Sequence, residues 1–368
     1  MLTLIIFILV LGLLVLVHEL GHFFVARRNG VKVEEFGIGF PPKIFSIKRG
    51  DTIYSLNLLP LGGFVKIKGE MGENAEDEDS FGHKTIWQRT KIVSAGVIMN
   101  YVLAAVLLIA GFIVGIPQSI EGNESKLANI KEAEIQVAEV IDNSPAKTAG
   151  VEIGDTIFEL DGQKLETIEA VEKYTNGKTG QEMSVKLQRN GNIVDFKITP
   201  KVLEGETRGE MGVGIVKVGI VSYPWYYAVW KGIETTGILT WKILQAFYSL
   251  FKNILLHGKL GIDITGPVGI AIVTGKVARM GLIYLLQFIA LLSINLAIIN
   301  FLPFPALDGG RVMFFALEKL RGKAISQKIE NAIHTAGFAL LMLLIIVVTY
   351  RDIATYGGKF IGKIKGWF

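Results

Sequence analysis

His18-Glu19-Leu20-Gly21-His22 closes an apolar run that begins at Leu2 and continues to Val17. About 20 apolar residues suffice to cross a bilayer, so Leu2 to Ala26 reads as a membrane span with the motif inside it. Ionisable side chains at membrane depth are costly and are retained for function. On a helix, His18 and His22 stand at i and i+4 and project from one face, the spacing of two metal ligands. Glu19 occupies a neighbouring azimuth, suited to a general base acting on water that the metal activates. The plainer alternative, a chance match on a surface helix, does not explain why the motif interrupts an apolar segment.

Composition agrees with a membrane protein. Half of the 368 residues are hydrophobic, 42 are glycine and none is cysteine. Thiolate ligands, thiol nucleophiles and disulfides are excluded, so a zinc site here must draw on His, Asp or Glu. The formal charge of +4 is small, and no nucleic-acid partner is expected. The N-terminal run lacks a basic n-region and a small-residue cleavage site, so it reads as a retained helix and not a cleaved signal.

Three further segments are long enough to span: Lys91 to Gly115, Leu282 to Leu302 and Thr335 to Tyr350. Between the first two spans, Phe36 to Pro42, Thr52 to Pro60 and Gly62 to Ile67 combine Gly, Pro and alternating apolar residues, which predicts strands and turns. Glu70 to Asp79 reads as an exposed acidic loop.

From about Ile120 to Val218 the chain is polar, net acidic and strand-like. Ser144-Pro145 predicts the start of a short helix ending at Gly150, Gly154-Asp155 a turn into a strand, and Asp161-Gly162 a tight hairpin. With Val137 to Val140 and Asn143 to Ala146, these residues resemble a bacterial PDZ domain. The resemblance implies a ligand loop at Met211-Gly212-Val213-Gly214-Ile215, where Gly212, Val213 and Gly214 would offer backbone N–H groups to a peptide; an ordinary hairpin is the alternative. The expected division is 1–119 as a first membrane part, 120–218 as the PDZ domain and 219–368 as a second membrane part. The fold class is an α-helical membrane protein with four transmembrane helices, a membrane-associated β-hairpin and one inserted, mainly β, PDZ domain.

Two histidines need a third ligand. No further histidine follows His22 at metzincin spacing, and His83, His257 and His334 read as surface or packing residues. Asp308 is the better candidate. It ends Asn300-Phe301-Leu302-Pro303-Phe304-Pro305-Ala306-Leu307-Asp308-Gly309-Gly310, where two prolines stop the third span and the glycines permit close approach. The competing role for Asp308 is to cap a following helix, Arg311 to Leu320.

HExxH in a first span, Asn-x-x-Pro-x-Pro-x-Leu-Asp-Gly after a third, and an inserted PDZ domain together resemble the site-2 protease (M50-type) family of intramembrane zinc metalloproteases, in particular its regulator of sigma-E protease subgroup. The resemblance covers nearly the whole chain. It implies Zn2+ on His18, His22 and Asp308, Glu19 as catalytic base, and Asn300 orienting the substrate backbone or oxyanion. Ser94 to Asn100 matches a second-span element, which makes Asn100 a candidate for substrate positioning. Gly62, Gly63 and Phe64 fall in the family's membrane-associated β-hairpin, where they would hold substrate extended. One departure stands out: the subgroup's tandem PDZ domains have room here for one only.

Charge asymmetry gives topology separately. Arg27, Arg28, Lys32, Lys43, Lys48, Arg49, Lys66 and Lys68 lie between the first two spans, and Arg311, Lys319, Arg321, Lys323 and Lys328 follow the third. By the positive-inside rule both connections are cytoplasmic, the PDZ domain is extracytoplasmic, and His22 and Asp308 approach the same end of their helices. Trp225 to Leu256 is long enough to cross, but Lys231, Glu234, Lys242 and Lys252 give it a polar face. A crossing would also carry Asp308 to the far side, so an interfacial amphipathic helix or re-entrant pair is expected, with Gly266-Pro267-Val268-Gly269 as a turn into the third span.

The expected protein is a multi-pass enzyme of the bacterial inner membrane, in contact with lipid, single-span substrates such as anti-sigma factors or remnant signal peptides, and a PDZ-bound peptide or adaptor. A metal transporter would predict repeats among the spans, which are absent. A silent scaffold would gain nothing from Glu19 and Asp308 together.

Overall fold

The computed structural model describes residues 2–120, 122, 124–189, 191–202, 209–258, 266–323 and 325–365. Four helices among these are long and apolar enough to cross a membrane: α1 (Leu2–Arg28), α2 (Ile86–Val114), α7 (Leu282–Phe301) and the first part of α9 (Gln327–Lys365). They coincide with the four expected spans. Phe338, Leu340, Leu343, Leu344, Ile346 and Val347 of α9 remain exposed, as lipid-facing side chains do.

The chain folds as two compact units, Gly111–Ala228 and the remainder. In the remainder, Val10 and Leu14 of α1 pack with Leu103 and Leu107 of α2 and Ile289 and Leu292 of α7. Towards the C-terminal end of α1, Phe23, Ala26, Phe36, Ile67, Ile92 and Phe315 form a second cluster. It joins α1 and α2 to a sheet of β1 (Val33–Arg49) and β2 (Thr52–Ile67), and to α8 (Asp308–Arg321). The sheet is more than a hairpin. Phe36 stands opposite both Val65 and Tyr54, so the first half of β1 lies between the two halves of β2. Gly63 to Ile67 is then an outer segment, and no described strand pairs with its other side.

Two expectations around Trp225 to Gly269 are refined. The ambiguous segment is one continuous helix, α5 (Trp225–His257), not a re-entrant pair, and it is not among the span candidates. Lys231 and Glu234 pair across its polar face at 2.9 Å, while Trp225, Trp230 and Trp241 are exposed. Gly266 to Gly269 is not a turn into the third span. It starts a separate helix, α6 (Pro267–Met280), before Gly281 leads into α7. Pro267 fits a first helical position, which needs no N–H. Buried Asp352 of α9 accepts from the N–H groups of Gly266 (3.2 Å) and Gly269 (2.8 Å), a long-range cap that no local signal announces.

The Gly111–Ala228 unit is built on a six-stranded sheet. Its members are β3 (Ile116–Ser119), β4 (Asn129–Val140), β5 (Thr156–Leu160), β6 (Met183–Arg189), β7 (Asn192–Ile198) and β10 (Val213–Ser222), in the order β3-β10-β4-β5-β6-β7. The short pair β8 (Lys201–Val202) and β9 (Gly209–Glu210) stands apart from it. The unit extends past 120–218 at both ends, because β3 and the last residues of β10 pair with each other. The expected turns form: Ser144 caps α3 (Pro145–Ala149), Gly150 ends it at φ +91°, and Asp161 and Gly162 both take positive φ in the hairpin. Buried Asp155 is gripped by Arg189 through Nε (2.7 Å) and a terminal guanidinium nitrogen (2.6 Å). Helix α4 (Ile168–Gly177) and the start of β10 flank a cavity of about 600 Å³ lined by Val171, Thr175, Met211, Val213 and Gly214. Gly212 lies next to these residues, and β3 pairs with β10 only from Val218 on, which leaves the Val213 end of that edge unpaired among the described strands.

Candidate metal centre

Helical periodicity brings His18 and His22 one turn apart on α1, and their Nε2 atoms lie 3.1 Å from each other. Asp308 is the first residue of α8, and its Oδ2 lies 3.1 Å from Nε2 of His18 and 3.4 Å from Nε2 of His22. Tetrahedral zinc with bonds of 2.0–2.1 Å separates its ligand atoms by about 3.3 Å, so the three donors fit three corners of such a site. Oδ2 of Asp308 is also buried without a hydrogen bond, an orphaned acceptor that a cation would satisfy. Burial alone raises the Asp308 carboxyl, but the two imidazoles outweigh it and hold it below the usual carboxylate range, in the anionic form that ligation needs.

The surroundings shape the donors. Nδ1 of His22 lies 2.9 Å from the carbonyl of Ile92 and donates to it, which leaves Nε2 with its lone pair. On His18 the partner is Asn100 of α2, which is fully buried. Its amide nitrogen is placed 3.2 Å from Nδ1, while Oδ1 has no partner. A ring that presents Nε2 to a metal carries its proton on Nδ1 and needs an acceptor there. A half-turn of the amide supplies Oδ1 and cures the unsatisfied oxygen in the same step. Ser293 of α7 donates to the Asn100 carbonyl at 2.8 Å and ties the two helices together at this level. Gly96, one turn before Asn100, faces the two imidazoles: a Cβ there would lie 2.7 Å from Nε2 of His18 and would collide with Nε2 of His22.

Asp308 is held by tight backbone packing. A Cβ on Gly309 would strike the carbonyls of Phe301 and Leu302, and one on Gly310 the carbonyl of Phe304. Arg311 pairs with Glu70, and Arg89 of α2 reaches Glu318 at 2.7 Å, which anchors α8 beyond the site.

The remaining expected residues separate into two groups. Glu19 is half-buried on α1, and Gly63 of the outer β2 segment lies beside it, an added Cβ there falling 3.8 Å from Cγ of Glu19. Gly62 faces Val15 and Phe40, and the ring of Phe64 covers Gly37. Asn300 sits half-buried in the last turn of α7, and its side chain makes no hydrogen bond to a described residue. Asn100 contacts His18 and is closed off from solvent. Sequence reasoning read Ser94 to Asn100 as one element without singling out Gly96, which its GxxxN spacing opposite the motif could have marked.

Comparisons with known proteins give the family. The profile of Peptidase family M50 matches residues 6–344. A putative zinc metalloprotease of Clostridium perfringens is 37% identical over 94% of this chain and 97% of its own length. The regulator of sigma-W protease RasP of Bacillus subtilis is 33% identical, covering 95% and 98%. Protease RseP of Yersinia pestis is 30% identical, covering 94% and 97%. Among solved structures, the PDZ domain of an SdrC-like protein from Listeria innocua aligns with 22% of this chain and 92% of its own at 23% identity, with a TM-score of 0.21. The chain belongs to peptidase family M50, the site-2 proteases, and is a zinc metalloprotease.

Proposed function

We propose that the chain hydrolyses peptide bonds within or near the transmembrane segments of single-span membrane proteins, with anti-sigma factors and remnant signal peptides as the substrate classes. The observation that carries this reading is the trio of donors from His18, His22 and Asp308, 3.1–3.4 Å apart, two of them on a helix apolar enough to span a membrane and the third at the start of the helix that follows another such span. These three residues would hold the zinc. Bound there, zinc supplies Lewis-acid polarisation of the attacking water and the scissile carbonyl.

The chain's own residues do the rest. Glu19 takes one proton from the water as its oxygen bonds to the carbonyl carbon, then delivers a proton to the amide nitrogen as the C–N bond breaks. Asn300, at the end of α7, donates its amide N–H to the developing oxyanion. A helical substrate hides its carbonyls in its own hydrogen bonds and must be unwound first. The unpaired outer edge at Gly63 to Ile67, beside Glu19, offers a strand on which the unwound segment is held extended. Phe64 supplies an apolar contact there, and the β1–β2 sheet rests against the membrane.

The basic connections after α1 and α7 put the metal centre on the cytoplasmic side of the bacterial inner membrane and the PDZ-like unit outside. In that unit the cavity along β10, with Gly212, Val213 and Gly214 at its edge, receives an extended peptide or adaptor and filters substrates. The test is co-expression with candidate single-span proteins, wild type against Glu19→Gln, with fragments identified by mass spectrometry. Fragments that appear equally with both versions would sink the proposal.

A further inference from the structure

We infer that His334, on α9, is a positioning residue for Asp308 that acts through the backbone of Ala306. The inference rests on His18, His22 and Asp308 being the zinc ligands. Ala306 stands two residues before Asp308 and takes φ +80°, one of few described non-glycine residues with positive φ. For an L-residue this conformation is strained and persists only where the surroundings over-determine it. Here the determinant is identifiable. The N–H of Ala306 donates to Nδ1 of His334 at 2.9 Å. One turn along α9, Gly337 lets the helix back directly onto the loop, since a Cβ there would lie 2.6 Å from the Pro305 carbonyl. The His334 ring packs against Phe314 of α8, with centroids 5.4 Å apart.

Within the loop, Pro303 and Pro305 have no N–H to donate, and the N–H groups of Phe304 and Leu307 bond to Leu302 (2.7 Å) and Phe304 (3.2 Å). Its two ends are held by the bonds of Leu302 to Ile299 (3.1 Å) and Gly310 to Leu307 (3.0 Å) and by the close packing of Gly309 and Gly310. Between the last proline and the metal donor, Ala306 is the one strained residue, and its N–H is held from another helix. If that N–H is released, the loop relaxes towards negative φ and swings the Asp308 carboxylate away from the two imidazoles. His334 is therefore an acceptor that keeps a ligand aimed, and not a ligand itself.

The test separates ring from acceptor. His334→Phe keeps an aromatic ring against Phe314 and loses the acceptor. His334→Asn loses the ring and places Oδ1 near the position of Nδ1. Zinc per chain is measured on the purified full-length protein after dialysis against graded chelator. The expected result is zinc affinity about 10–100-fold lower for His334→Phe and within a few-fold of wild type for His334→Asn. Ala306→Gly, which removes the φ penalty, is expected to restore most of the affinity in the His334→Phe background. Should the Phe variant not fold, His334→Ala against His334→Asn makes the same comparison without a ring. Retention that follows the ring and not the acceptor overturns the inference, as does a loss that Ala306→Gly leaves untouched. A wild-type chain that binds no zinc overturns the ligand assignment itself, and the inference with it.

Discussion

Nε2 of His18 lies 3.1 Å from Oδ2 of Asp308, although one residue is inside the first helix and the other begins the helix after the third span. This contact brings the end of α7 to the level of the His18 turn of α1. In the proposed topology both helices therefore run the same way, which leaves α5 no crossing.

Asp308→Ala is expected to lower zinc content and abolish cleavage. Glu19→Gln is expected to keep the zinc and reduce cleavage by about 10²-fold or more, the typical contribution of a general base. Metal analysis of the two purified variants beside a cleavage assay distinguishes ligand from base.

Gly96→Ala tests the close approach of α2 to the histidines. In a helix interior this exchange favours the fold by about 1 kcal/mol. The added methyl nonetheless occupies the space beside both Nε2 atoms, so zinc binding and activity are expected to fall while thermal stability of the apo form holds. Normal zinc stoichiometry in this variant would contradict the geometry.

Asn100 is expected to act through His18. Asn100→Asp keeps an oxygen for Nδ1–H, whereas Asn100→Leu keeps the volume and removes it. Chelator competition should show zinc affinity about 10–100-fold weaker for the leucine variant and largely retained for the aspartate. A leucine variant with normal zinc affinity and a raised KM would restore Asn100 to direct substrate positioning.

Sidedness is accessible because the chain has no native cysteine. A cysteine replacing exposed Lys252 of α5 is expected to label from outside the cell, and one replacing exposed Lys319 of α8 from the cytoplasm only. Lys259, the next lysine after Lys252, lies outside the described residues. Labelling of both from one side would remove the parity argument.

Removing the β-rich unit is expected to spare cleavage of a short substrate without an ectodomain, or to raise it, because the unit contributes no metal donor. The excision has to take all of β3 and β10, since the two strands pair with each other. Gel analysis of that substrate with the truncated and full chains decides; complete loss in a folded truncation would assign the unit more than a filtering role.

The sequence by itself determined whatever depends on neighbours along the chain. A span is legible because crossing hydrocarbon is a matter of apolar length. The spacing of His18 and His22 follows from 3.6 residues per turn, and the turns at Gly150 and Asp161-Gly162 follow from the backbone freedom of their residues. Even the meeting of His22 with Asp308 was within reach, because the flanking basic residues orient each span separately. Tertiary structure alone decided the rest. The double-sided pairing of β1, the cap of α6 by Asp352, the close approach of Gly96 and the hold of His334 on Ala306 join residues from distant parts of the chain. Beyond the GxxxN spacing at Gly96, none of these has a local period or composition to betray it: each is set by which surfaces the packed helices bring face to face, and buried polar groups find their partners only after that packing is complete.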